Sequence, residues 1–65
     1  MISRNLHIDD IADLADRARG VLRWSGVRTL GDAVDRWLDW TGHPMATPGV
    51  VANVEDVLLE HGLLS

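Results

Sequence analysis

A chain of 65 residues stands near the lower limit for a self-supporting core, because so short a chain buries only about 60% of the surface it exposes when unfolded, and it leaves no room for a second domain. Apolar residues make up 46% of it against a net charge of −4, a balance that excludes a disordered chain. The absence of cysteine excludes disulfides, thiolate nucleophiles, iron–sulfur clusters and the common structural zinc sites, so a small core here has association with another protein or a second copy as its remaining supplement.

The opening Met1-Ile2-Ser3-Arg4 has no apolar run of the kind that directs export, and nowhere do about 18 consecutive apolar residues occur. The expectation is a cytoplasmic protein that neither leaves the cell nor spans a membrane. Every basic side chain is arginine, while lysine, phenylalanine and tyrosine are missing; the missing types have AT-rich codons, which points to a GC-rich bacterial or phage genome.

Ile8, Ile11, Leu14, Ala15, Ala18, Val21 and Leu22 recur at spacings of three and four, which predicts one amphipathic helix. Asp9, Asp10 and Asp13 fall in its first turns, opposite the positive end of the dipole, and Asp13 and Arg17 form an i,i+4 pair. Gly20 weakens the middle of this helix, and Ser25-Gly26 ends it, with Gly26 suited to a left-handed cap.

Thr29-Leu30-Gly31-Asp32 predicts the next helix start, a cap hydroxyl with an acid three residues on, and Gly42 followed by Pro44 stops it. Between them Leu30, Ala33, Val34, Trp37, Leu38, Trp40 and Thr41 cover one broad side, leaving Asp32, Asp35, Arg36 and Asp39 for solvent. His43 to Pro48 carries two prolines and no period and reads as a loop. Thr47-Pro48 opens a further helix, with Asn53 as a rival start. Val50, Val51, Val54, Val57, Leu58 and His61 share its inner face, and Gly62-Leu63 matches a glycine cap whose apolar residue returns onto Leu58. The fold class is therefore all-α, a single helical domain over residues 1–65 built from three short helices, or four if residues 48–61 divide.

Chemistry is sparse. His7, His43 and His61 lack ligand spacing, so no metal is expected, and His61 reads as a helix cap. Ser3, Ser25 and Ser65 lie in capping or terminal contexts, and neither a nucleophile with its base nor a phosphate cradle occurs, so catalysis is not expected. Thr29-Leu30-Gly31-Asp32-Ala33-Val34 resembles the start of a late helix of acyl carrier proteins. The Asp-Ser-Leu tripeptide that carries their prosthetic group is not in this chain, so the resemblance implies no cofactor.

Charge is uneven: acids and bases balance through Arg36, and beyond it Asp39, Glu55, Asp56 and Glu60 carry the whole net charge. Trp37 is placed near the centre of the second helix's apolar face, Trp40 at its margin and Trp24 off the stripe of the first. Trp24 and Trp40 are each left open between core edge and intermolecular contact. Leu59 and the pair Leu63-Leu64 add apolar surface that one small core does not obviously cover. The leading expectation is an acidic helical interaction module. It docks a protein partner, or a second copy as a homo-oligomer, through Trp24, Trp37, Trp40, Leu59 and Leu63, with an acidic rim of Asp32, Asp35, Asp39, Glu55, Asp56 and Glu60 that steers toward a basic partner. The alternative is a helix-turn-helix-like regulator that meets nucleic acid through Arg17, Arg19, Arg23 and Arg28, opposed by the acidic faces of the later helices.

Overall fold

A computed structural model describes residues 2–64; Met1 and Ser65, at the ends of the expected domain, lie outside the described residues. The protein is all-α. Two 3-10 turns, Ile2–Asn5 and Ile8–Asp10, precede four α-helices: α1 (Asp16–Trp24), α2 (Leu30–Asp35), α3 (Trp37–Thr41) and α4 (Pro48–Glu60). Among the described residues no helix is long and apolar enough to cross a membrane.

The stripe that begins at Ile8 is helical only from Asp16 onward, which corrects the single long first helix. Ile8, Ile11 and Leu14 are spaced by threes, and the backbone follows that period: Ile11 donates to the Ile8 carbonyl at 3.5 Å and Leu14 to the Ile11 carbonyl at 3.3 Å. Both bonds are of the tighter 3-10 type, in which residues three apart eclipse on one side. All three side chains still reach the core. The expected Asp13–Arg17 pair does not form; Asp16 pairs with Arg19 at 3.1 Å instead.

This irregular segment is held by side chains from later elements. Arg19 of α1 donates from Nε to the Ile8 carbonyl (3.0 Å) and from Nη2 to the carbonyls of Ile11 (2.6 Å) and Leu14 (3.1 Å), collecting the oxygens of the apolar triplet. Asn53, in the middle of α4, accepts from the Ala15 N–H at 2.8 Å and donates to the Asp13 carbonyl at 3.1 Å. Ala15 is the N-cap of α1 and has no side chain to cap with; a carboxamide from another helix engages its backbone. An isolated antiparallel bridge, His7 to Thr29, lays residues 6–8 along residues 28–30, with Ile8 donating to the Arg28 carbonyl at 2.9 Å and Leu30 to the Leu6 carbonyl at 3.0 Å.

The second expected helix is broken in two at Arg36, whose φ of −106° and ψ of 30° leave the helical well. Its start is as expected: the Thr29 hydroxyl accepts from the Asp32 N–H and the Asp32 carboxylate accepts from the Thr29 N–H, a capping box. The break frees the Ala33 carbonyl, which the Trp40 indole takes from Nε1 at 2.7 Å. Restarting the helix one residue later rotates α3 about its axis. Trp40, expected at the margin, becomes fully buried; Trp37 is half-buried against it, edge to face at 4.8 Å. Leu38, expected on the apolar side, points outward with 83% of its surface exposed.

Residues 48–60 form one helix, which removes Asn53 as a rival start. The Thr47 hydroxyl accepts from the Val50 N–H at 3.3 Å, and Pro48 occupies the first turn, where its missing N–H costs nothing. Both glycine ends close as expected. Gly26 (φ 78°) and Gly62 (φ 71°) are left-handed, with Val27 donating to the Leu22 carbonyl at 2.8 Å and Leu63 to the Leu58 carbonyl at 2.9 Å, the six-to-one bond of the Schellman cap.

The core is one cluster: Ile8, Ile11, Leu14, Ala18, Val21, Leu22, Val27, Leu30, Ala33, Trp40, Val50, Val54, Val57 and Leu58, with Leu63 and Leu64 partly buried against it. The Cα radius of gyration is 10.2 Å.

Candidate docking groove

Burying Ala18, Val21 and Leu22 leaves Trp24, the last residue of α1, on the flank of that stripe and turned outward. The indole is 83% exposed, so the largest side chain type available stands in water at a helix end. Beside it the loop after α3 forms a wall. His43 donates to the Trp40 carbonyl (3.2 Å), Ala46 to the His43 carbonyl (2.9 Å) and Thr47 to the Met45 carbonyl (2.9 Å), and the Met45 N–H donates to His43 Nδ1 at 3.0 Å. These bonds fix the loop and hold Met45, 61% exposed, across from Trp24. The His43 ring meets the Trp24 indole edge-on at 6.3 Å.

Between α1 and that wall runs a groove of about 360 Å³ lined by Arg17, Gly20, Val21, Trp24, His43, Met45 and Thr47. Its surface is apolar except for Arg17 at one end, His43 and the Thr47 hydroxyl. A built Cβ on Gly20 would touch nothing within 4 Å, so the helix backbone is bare in the middle of the groove.

A second hollow of about 380 Å³ is lined by His7, Ile8, Asp9, Arg23, Gly26, Val27 and Arg28. Its polar groups largely satisfy one another: Arg23 donates to the Asp9 carboxylate, His7 Nδ1 accepts from the Asp9 N–H at 3.2 Å and lies 3.5 Å from the carboxylate. That network ties the second 3-10 turn to α1.

The residues expected to form one interface are scattered. Trp24 lines the groove. Trp40 is sealed in the core and presents no surface to a partner, and Trp37 packs over it. Leu59 is exposed on α4, whereas Leu63 is committed to the cap and the core. Of the rim acids, Asp32 is turned back into the capping box, Asp35 pairs with Arg4 at 2.7 Å and Asp39 lies 3.9 Å from Arg36. The carboxyl of Asp32 is held below its ordinary value, first by the Arg28 N–H, with the Thr29 N–H and hydroxyl and the Arg36 charge adding, against partial burial. The four arginines do not share a surface: Arg17 lines the groove, Arg23 and Arg28 line the second hollow, and Arg19, only 18% exposed, is folded onto backbone carbonyls.

Sequence reasoning missed Met45 and Leu38. Met45 sits between two prolines with no period to assign it a side, and Leu38 was misplaced by the break at Arg36. No family model matches this chain, and neither a curated protein nor a solved structure does.

Proposed function

We propose that this chain is a small helical interaction module that docks a protein, another kind or a second copy, through the groove between α1 and residues 43–47. The observation that carries the reading is Trp24, 83% exposed and lining, with Met45, an apolar groove whose wall is tied by backbone hydrogen bonds. Leaving an indole in water forfeits a stabilisation on the order of 2 kcal/mol, which a chain of this size forgoes at a cost unless the surface is covered on binding. Tryptophan is the residue type most enriched where interfaces concentrate their energy.

A photo-crosslinking residue placed at Met45, which leaves the Trp24 indole in place, and separately at the exposed Asp56 on α4, tests it in cells. Adducts should form from position 45 and be at least about fivefold scarcer from position 56. The protein in the adduct, once identified and purified, should lose about tenfold in affinity for Trp24→Ala. Equal adduct yields at both positions would defeat the proposal.

A further inference from the structure

Arg17, Gly20, Val21 and Trp24 follow one another at i, i+3, i+4 and i+7 along α1, a single row with a cation at one end and the exposed indole at the other, about 10 Å apart at 1.5 Å per residue. Arg17 is the one permanently charged side chain in the lining, and among the described residues it enters no ion pair, unlike Arg4, Arg19, Arg23 and Arg36. Bare backbone at Gly20 lets an incoming segment approach α1 closely.

These features select the occupant. An extended peptide laid along α1 would bring unpaired N–H and C=O groups against a helix whose own backbone groups are already spent, and burying them unpaired is costly. A helix arrives with its backbone satisfied and offers side chains at the matching spacing. A second copy of this chain is a poor fit on area, because a stable pairing needs about 800 Å² from each partner, about a fifth of the 4135 Å² this chain exposes. Trp24 and Met45 supply on the order of 300 Å², an area that suits a transient contact with a segment of another protein and not a permanent pair of copies. The net charge of −4 acts on any partner only at range, since exposed charges more than about 8 Å apart are screened at physiological salt, while the contact itself meets Arg17.

Resting on the docking reading, we infer that the groove takes an amphipathic helix of a partner protein, which seats a large apolar side chain between Trp24 and Met45 and sets a carboxylate on Arg17 two turns away. Two synthetic helical peptides of about four turns test this, identical except that the residue two turns from a leucine anchor is glutamate in one and lysine in the other. Titration would follow the Trp24 indole and Gly20 amide resonances. The glutamate peptide should bind about tenfold more tightly and move both resonances, Arg17→Glu should reverse the preference, and Trp24→Ala should weaken both complexes by about tenfold with an unchanged melting temperature. Equal binding of the two peptides, or indifference to Arg17→Glu, removes the carboxylate assignment while leaving the docking function to the crosslinking experiment. Failure of both peptides removes the helical occupant. Self-association in light scattering that moves the same resonances assigns the groove to a second copy and overturns the inference.

Discussion

Two side chains show how local bonds set the stability of this fold. Asp32 closes the box at the head of α2 by accepting from the N–H groups of Arg28 and Thr29 at 3.1 and 3.3 Å, and those donors favour its charged form, lowering its pKa. A carboxylate whose native pKa lies below its unfolded one stabilises the fold fully above the unfolded value, near pH 4, and loses that contribution as pH falls through the native value. Asp32→Asn should therefore melt below the parent at pH 6, by about 1 kcal/mol or less, and the two curves should converge as the pH falls below about 4. A gap that stays constant across that range would show that the charge plays no part. Trp40 makes the other bond, from its indole to the Ala33 carbonyl at 2.7 Å in a fully buried setting. Trp40→Phe keeps an aromatic ring but orphans that carbonyl, at an expected cost of about 1–3 kcal/mol. In a domain of this size each kcal/mol lowers the melting temperature by about 4–8 °C. The same substitution at the exposed Trp24 should leave the melting temperature unmoved.

At the scale of the helices, two glycines separate what the fold needs from what the groove needs. Gly31, at the start of α2, is buried, and a built Cβ would lie 3.0 Å from the Arg4 carbonyl oxygen and 3.2 Å from its Cβ; Gly31→Ala should destabilise by about 1–3 kcal/mol by pushing the N-terminal turn away. Gly20 lies inside α1 with open space where a Cβ would stand, so Gly20→Ala should stabilise by about 0.5–1 kcal/mol while placing a methyl group in the groove and weakening whatever docks there. Thermal melts of both variants, with a binding titration of the second, check the pair. Much of this was legible in the residues: Thr29 with Asp32, Thr47-Pro48, Gly26 and Gly62 each carry a local signal within four residues, and each end they mark is where the helix begins or stops. The break at Arg36 has no such signal, because it depends on the Trp40 indole reaching back seven residues to Ala33 inside an assembled core. Reading Leu30–Thr41 as one helix then misplaced two side chains at once, Leu38 and Trp40. Ile8–Leu14 failed differently, since a spacing of three fits the 3-10 period as well as a helix stripe. Trp24, by contrast, was readable as lying off its stripe, though its neighbour Met45 was not.

Across the whole molecule, the first fourteen described residues contain no α-helix and yet contribute Ile8, Ile11 and Leu14 to the core. What keeps them in place is concentrated in Arg19 and Asn53, which hold the segment from α1 and α4, with the His7–Thr29 bridge and the Arg4–Asp35 pair as secondary ties. Arg19 donates to three carbonyls in a part-buried setting, where hydrogen bonds from a charged group are strong. Arg23, its neighbour one turn on, makes one exposed pair with Asp9, of the kind worth at most about 1 kcal/mol. The two arginines look interchangeable in the sequence and are not in the fold. Arg19→Leu should cost about 3 kcal/mol and Arg23→Ala under about 1 kcal/mol. Because α4 is capped at both ends by its own residues and pinned through Val54, Val57 and Leu58, the Arg19 loss should open the N-terminal segment first. Hydrogen exchange should then show the amides of residues 8–15 losing protection together while those of α4 keep theirs. Uniform loss across both would mean that the segment is an integral part of a single cooperative unit and that Arg19 stabilises the whole fold and not this attachment.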